Sequence, residues 1–342
     1  MTGPARIQSK TKGHGGDREY LRDFRSLSVS VVIVNFNTGP LLTDVVRTVL
    51  TQTLPPLECI IVDNASTDGS IDHLRGEIDD DRVVVLQMET NLGFASGCNR
   101  GITESTGTQT LLLNADCFLE PDTLELLLAE LSANDAAGAA GPLILNMDGT
   151  EQRGCRREIP TPWQIFCVGV GLHRMMPRHP RFRSFNSTGE ELPDKTVRVQ
   201  SISGSCMLIP RRVVNLVGLL DERYFMHFED LDWCMRVGAA GQCVLFVPNA
   251  IAHHVGGVSG RDRAYRVEMH KHTSLIRFVR ANFAQYYPSA FIVLVSFVVY
   301  ARWLTLVLRM ATWGKSRNRN GWYSLFVDAD EDGAGGVDPQ RD

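Results

Sequence analysis

Several short polar clusters each follow an apolar run: Asn35-Phe36-Asn37, Asp63-Asn64, Asn114-Ala115-Asp116 and His253-His254. A carboxylate delivered to the end of a buried strand, as Asp116 would be, can hold Mg²⁺ or Mn²⁺ while substrate phosphates complete the ligand set. Amide and acid groups on neighbouring strand ends, such as Asn35, Asn37, Asp63 and Asn64, match the donors and acceptors of a nucleotide base and ribose. Turn and helix capping is the alternative use of the same residue types. A further cluster, Glu229-Asp230-Leu231-Asp232, follows Phe225-Met226-His227-Phe228. Asp232 has an ion-pair partner four residues on, at Arg236. Glu229 and Asp230 stand instead among Phe228, Leu231 and Trp233, where burial raises a carboxylate's pKa and makes it a candidate general base. Of His253 and His254, alternation along an extended chain turns only one toward such a site, where an imidazole could ligate a metal beside Gly256-Gly257.

These groups require strands that end together. Residues 29–34, 57–62, 83–86, 110–113, 141–145 and 243–247 are short apolar runs of the kind buried on both faces of a parallel sheet. Between the early ones lie helical patterns, among them Leu41, Leu42, Val45, Val46, Val49 and Leu50, then Leu124, Leu127, Leu128 and Leu131 after Pro121. Strand and helix alternating at this spacing predict an α/β fold with a mostly parallel, Rossmann-like sheet whose carboxyl edge carries the ligands. Gly93, Gly97 and Gly101 recur every fourth residue, as expected where a helix packs closely on the sheet. Pro248-Asn249-Ala250 reads as a turn, and residues 150–198, rich in arginine, proline and aromatics, as an irregular binding segment.

The 342 residues carry a formal net charge of −4, which gives no electrostatic case for a nucleic-acid partner. Eight scattered cysteines without zinc spacing predict buried thiols in a reducing compartment. The start of the chain lacks the apolar stretch of a secretory signal, so a cytoplasmic enzyme is the expectation. Residues 289–308 contain twelve Phe, Ile, Leu or Val residues, interrupted by Arg302. These contribute roughly −4 to −7 kcal/mol to insertion against about +2.5 to +3.5 for a central arginine. With Arg277, Arg280, Arg309, Lys315, Arg317 and Arg319 nearby, and Tyr286, Tyr287 and Trp303, the segment suits an anionic membrane surface; a single span and a helix pair packed on the core are the alternatives.

No Gly-x-Gly-x-x-Gly follows the first strand, and no Walker A, Gly-x-Ser-x-Gly or His-Glu-x-x-His sequence occurs. Taken in order, the segments 29–37, 62–70, 91–101, 112–116, 224–236 and 254–259 resemble glycosyltransferase family 2, the inverting GT-A enzymes, and its rhamnosyltransferase-like branch. The resemblance covers residues 28–285. It implies nucleotide contacts from Asn35, Asn37, Asp63, Asn64, Asn91, Gly93 and Asn114, and a divalent cation, Mg²⁺ or Mn²⁺, on Asp116 and His254. The chain has Asn-Ala-Asp where the family usually has Asn-Pro-Asp or Asp-x-Asp. Asp230 is similar to the family's catalytic base, with Glu229 beside it.

The expected organisation is a disordered leader (1–27), a GT-A domain (28–285) with a nucleotide-binding half (28–120) and an acceptor and catalytic half (121–285), a membrane-associating helical segment (286–320) and a disordered acidic tail (321–342). The implied partners are a nucleotide-sugar donor, dTDP-rhamnose in this expectation, a saccharide acceptor, lipid-linked in the same expectation, and the cytoplasmic face of a membrane. The implied process is assembly of cell-surface polysaccharide. A sugar nucleotidyltransferase and a non-catalytic nucleotide-sugar-binding protein are the alternatives.

Overall fold

The apolar run that begins at Val29 becomes a central strand whose alternate side chains enter two separate cores. The computed structural model describes residues 27–176, 179–182, 185–188, 190–258 and 264–313. The expected leader apart from Leu27, the acidic tail, Ser259, and Lys315, Arg317 and Arg319 lie outside the described residues.

In chain order the first half runs β1 (Val29–Asn35), α1 (Leu41–Leu50), β2 (Glu58–Asp63), α2 (Ser70–Glu77), β3 (Val83–Gln87), α3 (Phe94–Glu104), β4 (Gln109–Asn114), β5 (Cys117–Leu119) and α4 (Thr123–Ser132). It continues with β6 (Ala137–Leu145), β7 (Arg156–Arg157), α5 (Pro162–Gly169), α6 (Leu172–Met175), β8 (Val197–Val199), β9 (Ser201–Ile202), β10 (Cys206–Pro210) and α7 (Arg211–Val217). Last come α8 (Glu229–Ala239), β11 (Cys243–His254), α9 (Ala264–Phe283) and α10 (Ser289–Trp313).

The main sheet has the order β3-β2-β1-β4-β10-β6-β11-β5, with β8 against β11. β3, β2, β1 and β4 are parallel, as are β6 and β11, while β10 runs antiparallel to both β4 and β6. Val31, Ile33, Cys59, Ile61, Leu111 and Leu113 join α1 and α4 in one core. Val32, Ile60, Val62 and Leu112 join α3 and α8 in the other. This two-sided burial is why β1, β2 and β4 read as continuous apolar runs rather than alternating ones.

The glycines of α3 set the distance to the second core. A Cβ on Gly97 would stand 2.7 Å from Val34 Cγ1, and one on Gly101 would stand 2.2 Å from Val32 Cγ1. The helix thus lies on β1 at a range that excludes a side chain, as the four-residue spacing predicted.

Three expectations are corrected. Residues 248–250 form no turn: β11 continues through them to His254, with its register against β6 shifted between Val247 and Ile251. A bulge accommodates Pro248, which has no N–H for the ladder. The strand foreseen at 141–145 begins at Ala137, its alanines and glycine having hidden it from a pattern search for large apolar residues. Residues 150–198 are not wholly irregular, because Thr161 and Gln164 close a reciprocal capping box with Pro162 at the start of α5.

That helix packs on the C-terminal pair. Ile165 of α5, Ile276 and Val279 of α9, and Ile292, Val295 and Val299 of α10 form one cluster. The opposite face of α10 presents Val293, Leu294, Phe297, Tyr300, Leu304 and Leu308, all exposed. Its stretch Ser289–Leu308 is long and apolar enough to cross a membrane, although core helices of soluble proteins meet the same test.

Candidate functional site

Parallel pairing brings the ends of β1, β2 and β4 side by side, with Asn35 opposite Asp63 and Val34 opposite Asn114. Asn35 Nδ2 lies 2.9 Å from Asp63 Oδ1, 3.0 Å from Ser66 Oγ and 2.9 Å from Ser70 Oγ, while Thr38 Oγ1 donates to its Oδ1. Asn37, at φ 53°, accepts from Thr67 N at 2.8 Å. Asn64 Nδ2 donates to Gly93 O at 3.0 Å, and Gly93 N donates to Asn91 Oδ1 at 2.9 Å. The structure therefore gathers Asn35, Asn37, Asp63, Asn64, Asn91 and Gly93 into one bonded edge. Asn64 Oδ1 is buried with no partner among the described residues, an acceptor left open in an otherwise bonded turn.

Gly93 has φ +95°, and a Cβ there would meet Phe225 O at 2.3 Å. Only glycine permits this approach, which lets Phe94 N donate to Phe225 O at 2.7 Å. The 91–94 turn is thereby fastened to the segment leading into Glu229-Asp230.

A different pairing, this one antiparallel, builds the acidic corner. β11 lies against β5 with His254 opposite Cys117 and His253 opposite Phe118. Adjacent strand residues point to opposite faces, and the two histidines separate accordingly. His253 Nε2 is 2.9 Å from Glu120 Oε1, whereas His254 Nε2 is 3.0 Å from Asp116 Oδ1 and 3.2 Å from Asn114 Nδ2. His254 Nδ1 is 2.6 Å from Gln152 Oε1. Both His254 and Asp116 are largely buried. Among the described residues no group of three or more His, Cys, Asp and Glu is gathered for a metal ion. Asp116 and His254 are two protein ligands at most, enough where phosphate oxygens supply the others.

The third component is the first turn of α8. His227 and Phe228 precede it at φ 64° and 73°, a left-handed conformation that costs a non-glycine residue of order 1–3 kcal/mol. Helix α9 holds this segment: Ser274 Oγ donates to Met226 O at 2.9 Å, His270 stacks on Phe225 at 4.2 Å, and Phe278 contacts Phe228. Asp230 Oδ2 then receives Arg157 Nη2 at 2.5 Å and Gly204 N at 3.0 Å, and its Oδ1 receives Leu231 N at 2.8 Å.

Gly204 also ties the components together. It belongs to the turn between β9 and β10, whose next residue, Ser205, accepts Asn114 N at 2.9 Å. One three-residue turn thus touches Asp230 on one side and the Asn114-Ala115-Asp116 turn on the other.

Glu229 is buried, and that burial, reinforced by neighbouring Asp230, pushes its carboxyl up to about 8. Its Oε2 has no partner among the described residues. His227 is displaced the other way, to about 4, by burial first and then by the charge of Lys271. Asp232 is occupied by Arg236 Nε at 3.0 Å and Asn282 Nδ2 at 3.2 Å, in line with the ion pair expected for it.

Sequence reasoning missed Arg157, Gln152 and Gly204. Arg157 stands in Gly154-Cys155-Arg156-Arg157, where nothing distinguishes it from Arg156. In the structure Arg156 turns inward to Glu151 at 2.9 Å and Arg157 turns to Asp230. Only the pairing of β7 with β9 separates their roles.

Residues 30–215 match the model of glycosyl transferase family 2. Over 262 residues the chain is 31% identical to the N-acetylglucosaminyl-diphospho-decaprenol L-rhamnosyltransferase of Mycobacterium tuberculosis strain H37Rv, covering 72% of this chain and 82% of that protein. Among solved structures it is similar to GalNAc-T7, crystallised with UDP, GalNAc and Mn²⁺, at TM-score 0.53 and 18% identity, over 85% of this chain and 58% of that one. It is also similar to the mannosyltransferase PcManGT of Pyrobaculum calidifontis, in complex with GDP-Man and Mn²⁺, at TM-score 0.51 and 14% identity, over 92% and 87%. The chain belongs to glycosyltransferase family 2, is a GT-A-fold glycosyltransferase, and is similar to the rhamnosyltransferases within that family.

Proposed function

We propose that the protein transfers a sugar, rhamnose from dTDP-rhamnose as the best single donor, with inversion to a saccharide carried on a lipid diphosphate, in cell-surface polysaccharide assembly. The observation that carries this reading is the shared turn at Gly204 and Ser205, which joins Asp230 to the strand end bearing Asn114 and Asp116. The choice of sugar and acceptor rests on the rhamnosyltransferase relative, which is named for N-acetylglucosaminyl-diphospho-decaprenol.

In this reading residues 28–120 hold the donor, with Asn35, Asn37, Asp63, Asn64, Asn91, Gly93 and Asn114 around the nucleotide, and residues 121–285 hold the acceptor. Asp230 is the general base. Its Oδ1 accepts only Leu231 N among the described residues and so retains a lone pair for an acceptor hydroxyl. As the acceptor oxygen bonds to the anomeric carbon, the bond from that carbon to the donor phosphate breaks, and the hydroxyl proton passes to Asp230. The nucleoside diphosphate leaves with the bonding pair, and a single displacement inverts the centre. Glu229, neutral at pH 7 by its displacement to about 8, adds no second negative charge beside the base.

Asp116 and His254 fit Mg²⁺ or Mn²⁺ by donor chemistry: a carboxylate oxygen and an imidazole nitrogen lie 3.0 Å apart, facing each other. A divalent cation there supplies charge neutralisation to the departing diphosphate. The exposed apolar face of α10, with Arg277, Arg280 and Arg302 in the same helix pair, supports a peripheral position at the cytoplasmic face of a membrane, where a lipid-linked acceptor is presented.

The test is nucleoside-diphosphate release from UDP-, dTDP- and GDP-sugars with Mn²⁺, Mg²⁺ or EDTA, with and without lipid extract, for wild type and Asp230→Asn. Release from dTDP-rhamnose that needs lipid extract and metal, and that is lost in the variant, is the expected result. Release from another donor replaces the sugar. Donor binding without release under any condition overturns the transferase mechanism. Release untouched by Asp230→Asn overturns the choice of base.

A further inference from the structure

The orientation of Gln152 determines which nitrogen of His254 carries a proton. Gln152 Nε2 lies 3.2 Å from the backbone carbonyl of His254, which can only accept, and 3.1 Å from Asn146 Oδ1. Asn146 is itself oriented, since its Nδ2 donates to Thr150 Oγ1 at 2.9 Å while the Thr150 hydroxyl donates to Asp148 Oδ1 at 2.6 Å. With the amide nitrogen fixed on two acceptors, the other end of Gln152 must be its carbonyl oxygen. That oxygen faces His254 Nδ1 at 2.6 Å, so Nδ1 is the protonated nitrogen.

In the neutral ring Nε2 then holds a lone pair, and it is directed at Asp116 Oδ1, 3.0 Å away. Asn114 Nδ2 donates toward the same nitrogen from 3.2 Å. Two electron-pair donors at this range repel unless a positive centre lies against both, either a proton on Nε2 or a metal ion beside the pair. The hairpin that carries Gln152, residues 146–152, lies outside every segment matched to nucleotide, metal or base.

We infer that Gln152 is a positioning residue: by accepting from Nδ1–H it holds His254 in the form whose Nε2 can ligate, and thereby sets the protein's affinity for a divalent cation. This rests on the assignment of Asp116 and His254 proposed above. Outer hydrogen-bond partners of a ligating histidine fix its ring and raise its basicity, and their loss typically weakens metal binding about 10–100-fold.

Two measurements separate the inference from the reading beneath it. ¹⁵N–¹H correlation spectra of the metal-free wild-type protein, with labelled histidine and His254 assigned by its Ala variant, report the tautomer. Electron paramagnetic resonance of free Mn²⁺, titrated with protein in the presence of dTDP or of UDP, reports affinity. The expected result is an Nδ1–H tautomer in the wild type, a mixture in Gln152→Leu, and Mn²⁺ affinity weaker by about 10–100-fold in that variant. Gln152→Glu, which keeps an acceptor for Nδ1–H, should recover the tautomer and much of the affinity. If Gln152→Leu fails to fold, Asn146→Ala, which loosens Gln152 without touching the histidine, should shift tautomer and affinity in the same direction by less. A wild-type His254 protonated on Nε2, or equal Mn²⁺ affinity in wild type and Gln152→Leu, overturns the inference. Wild-type protein that carries the Nδ1–H form yet binds no Mn²⁺ overturns the metal assignment, leaving the hydrogen bond as described and Gln152 without the role inferred for it.

Discussion

Arg157 Nη2 lies 2.5 Å from Asp230 Oδ2, and both side chains are mostly shielded from water. Among the described residues this is the one ion pair made by the proposed base, and it draws a guanidinium from the 150–198 segment to Asp230. Removing one partner of such a pair strands the other charge, at a cost of roughly 3–5 kcal/mol when fully buried, so about 3 kcal/mol is expected for Arg157→Ala. Asp230→Asn should lower kcat by about 10²–10⁴ with donor binding intact. Urea unfolding should find Arg157→Ala combined with Asp230→Asn more stable than Arg157→Ala alone. If the double variant merely sums the single losses, the two residues do not interact as the structure has them.

Glu229 gives a pH signature. Its carboxyl is raised from 4.5 to about 8, so between those values the folded protein holds a proton that the unfolded chain has released. Its contribution is therefore fully present below about pH 4.5 and lost as pH rises through about 8. Glu229→Gln cannot ionise, and its melting temperature relative to wild type should climb across that window. A constant difference from pH 5 to 9 would show that Glu229 ionises normally in the folded state. His227, lowered to about 4, works in the opposite sense at lower pH, which is why the comparison is between variants.

Gly101 faces Val32 with no room for a methyl group, a Cβ falling 2.2 Å from Val32 Cγ1. Overpacking of this kind costs roughly 1–3 kcal/mol, more than the helix propensity of alanine returns. Gly101→Ala should thus destabilise the protein although it improves the local helix former. A rise in urea midpoint would mean that α3 lies farther from the sheet than the structure has it.

Val293 and Phe297 are 63% and 68% exposed on α10, one turn apart. Side chains of this size contribute roughly 1.5–3 kcal/mol each when buried. Replacing both by serine should reduce sedimentation with phosphatidylglycerol-containing vesicles by tenfold or more, with turnover on a water-soluble acceptor unchanged. Equal vesicle binding by wild type and variant would remove this face as the docking surface.

Much of the fold was legible because β1, β2 and β4 are buried on both faces and therefore written as unbroken apolar runs. The strand ends followed directly, and with them Asn35, Asp63 and Asp116. The alternation rule also separated His253 from His254, and the structure turns them to Glu120 and Asp116. What stayed hidden depends on pairing between distant segments. Arg157 and Gln152 acquire their partners across 73 and 102 residues, and no local periodicity encodes either contact. The bulge at Pro248 was misread because proline announces a turn more often than an irregular strand. The alanine- and glycine-rich start of β6 gave no hydrophobic signal at all.

The contact between Gly93 and Phe225 bears on how new donor specificities could be built. Phe94 N donates to Phe225 O at 2.7 Å, so the turn beside the strand ends and the lead-in to the proposed base share one hydrogen-bonded backbone with no side chain between them. A graft of residues 28–120 from another enzyme would import its own version of that turn and move the strained pair His227 and Phe228 with it. The exchangeable unit is larger than residues 28–120: a working chimera must carry the 91–94 turn and residues 224–230 from the same parent.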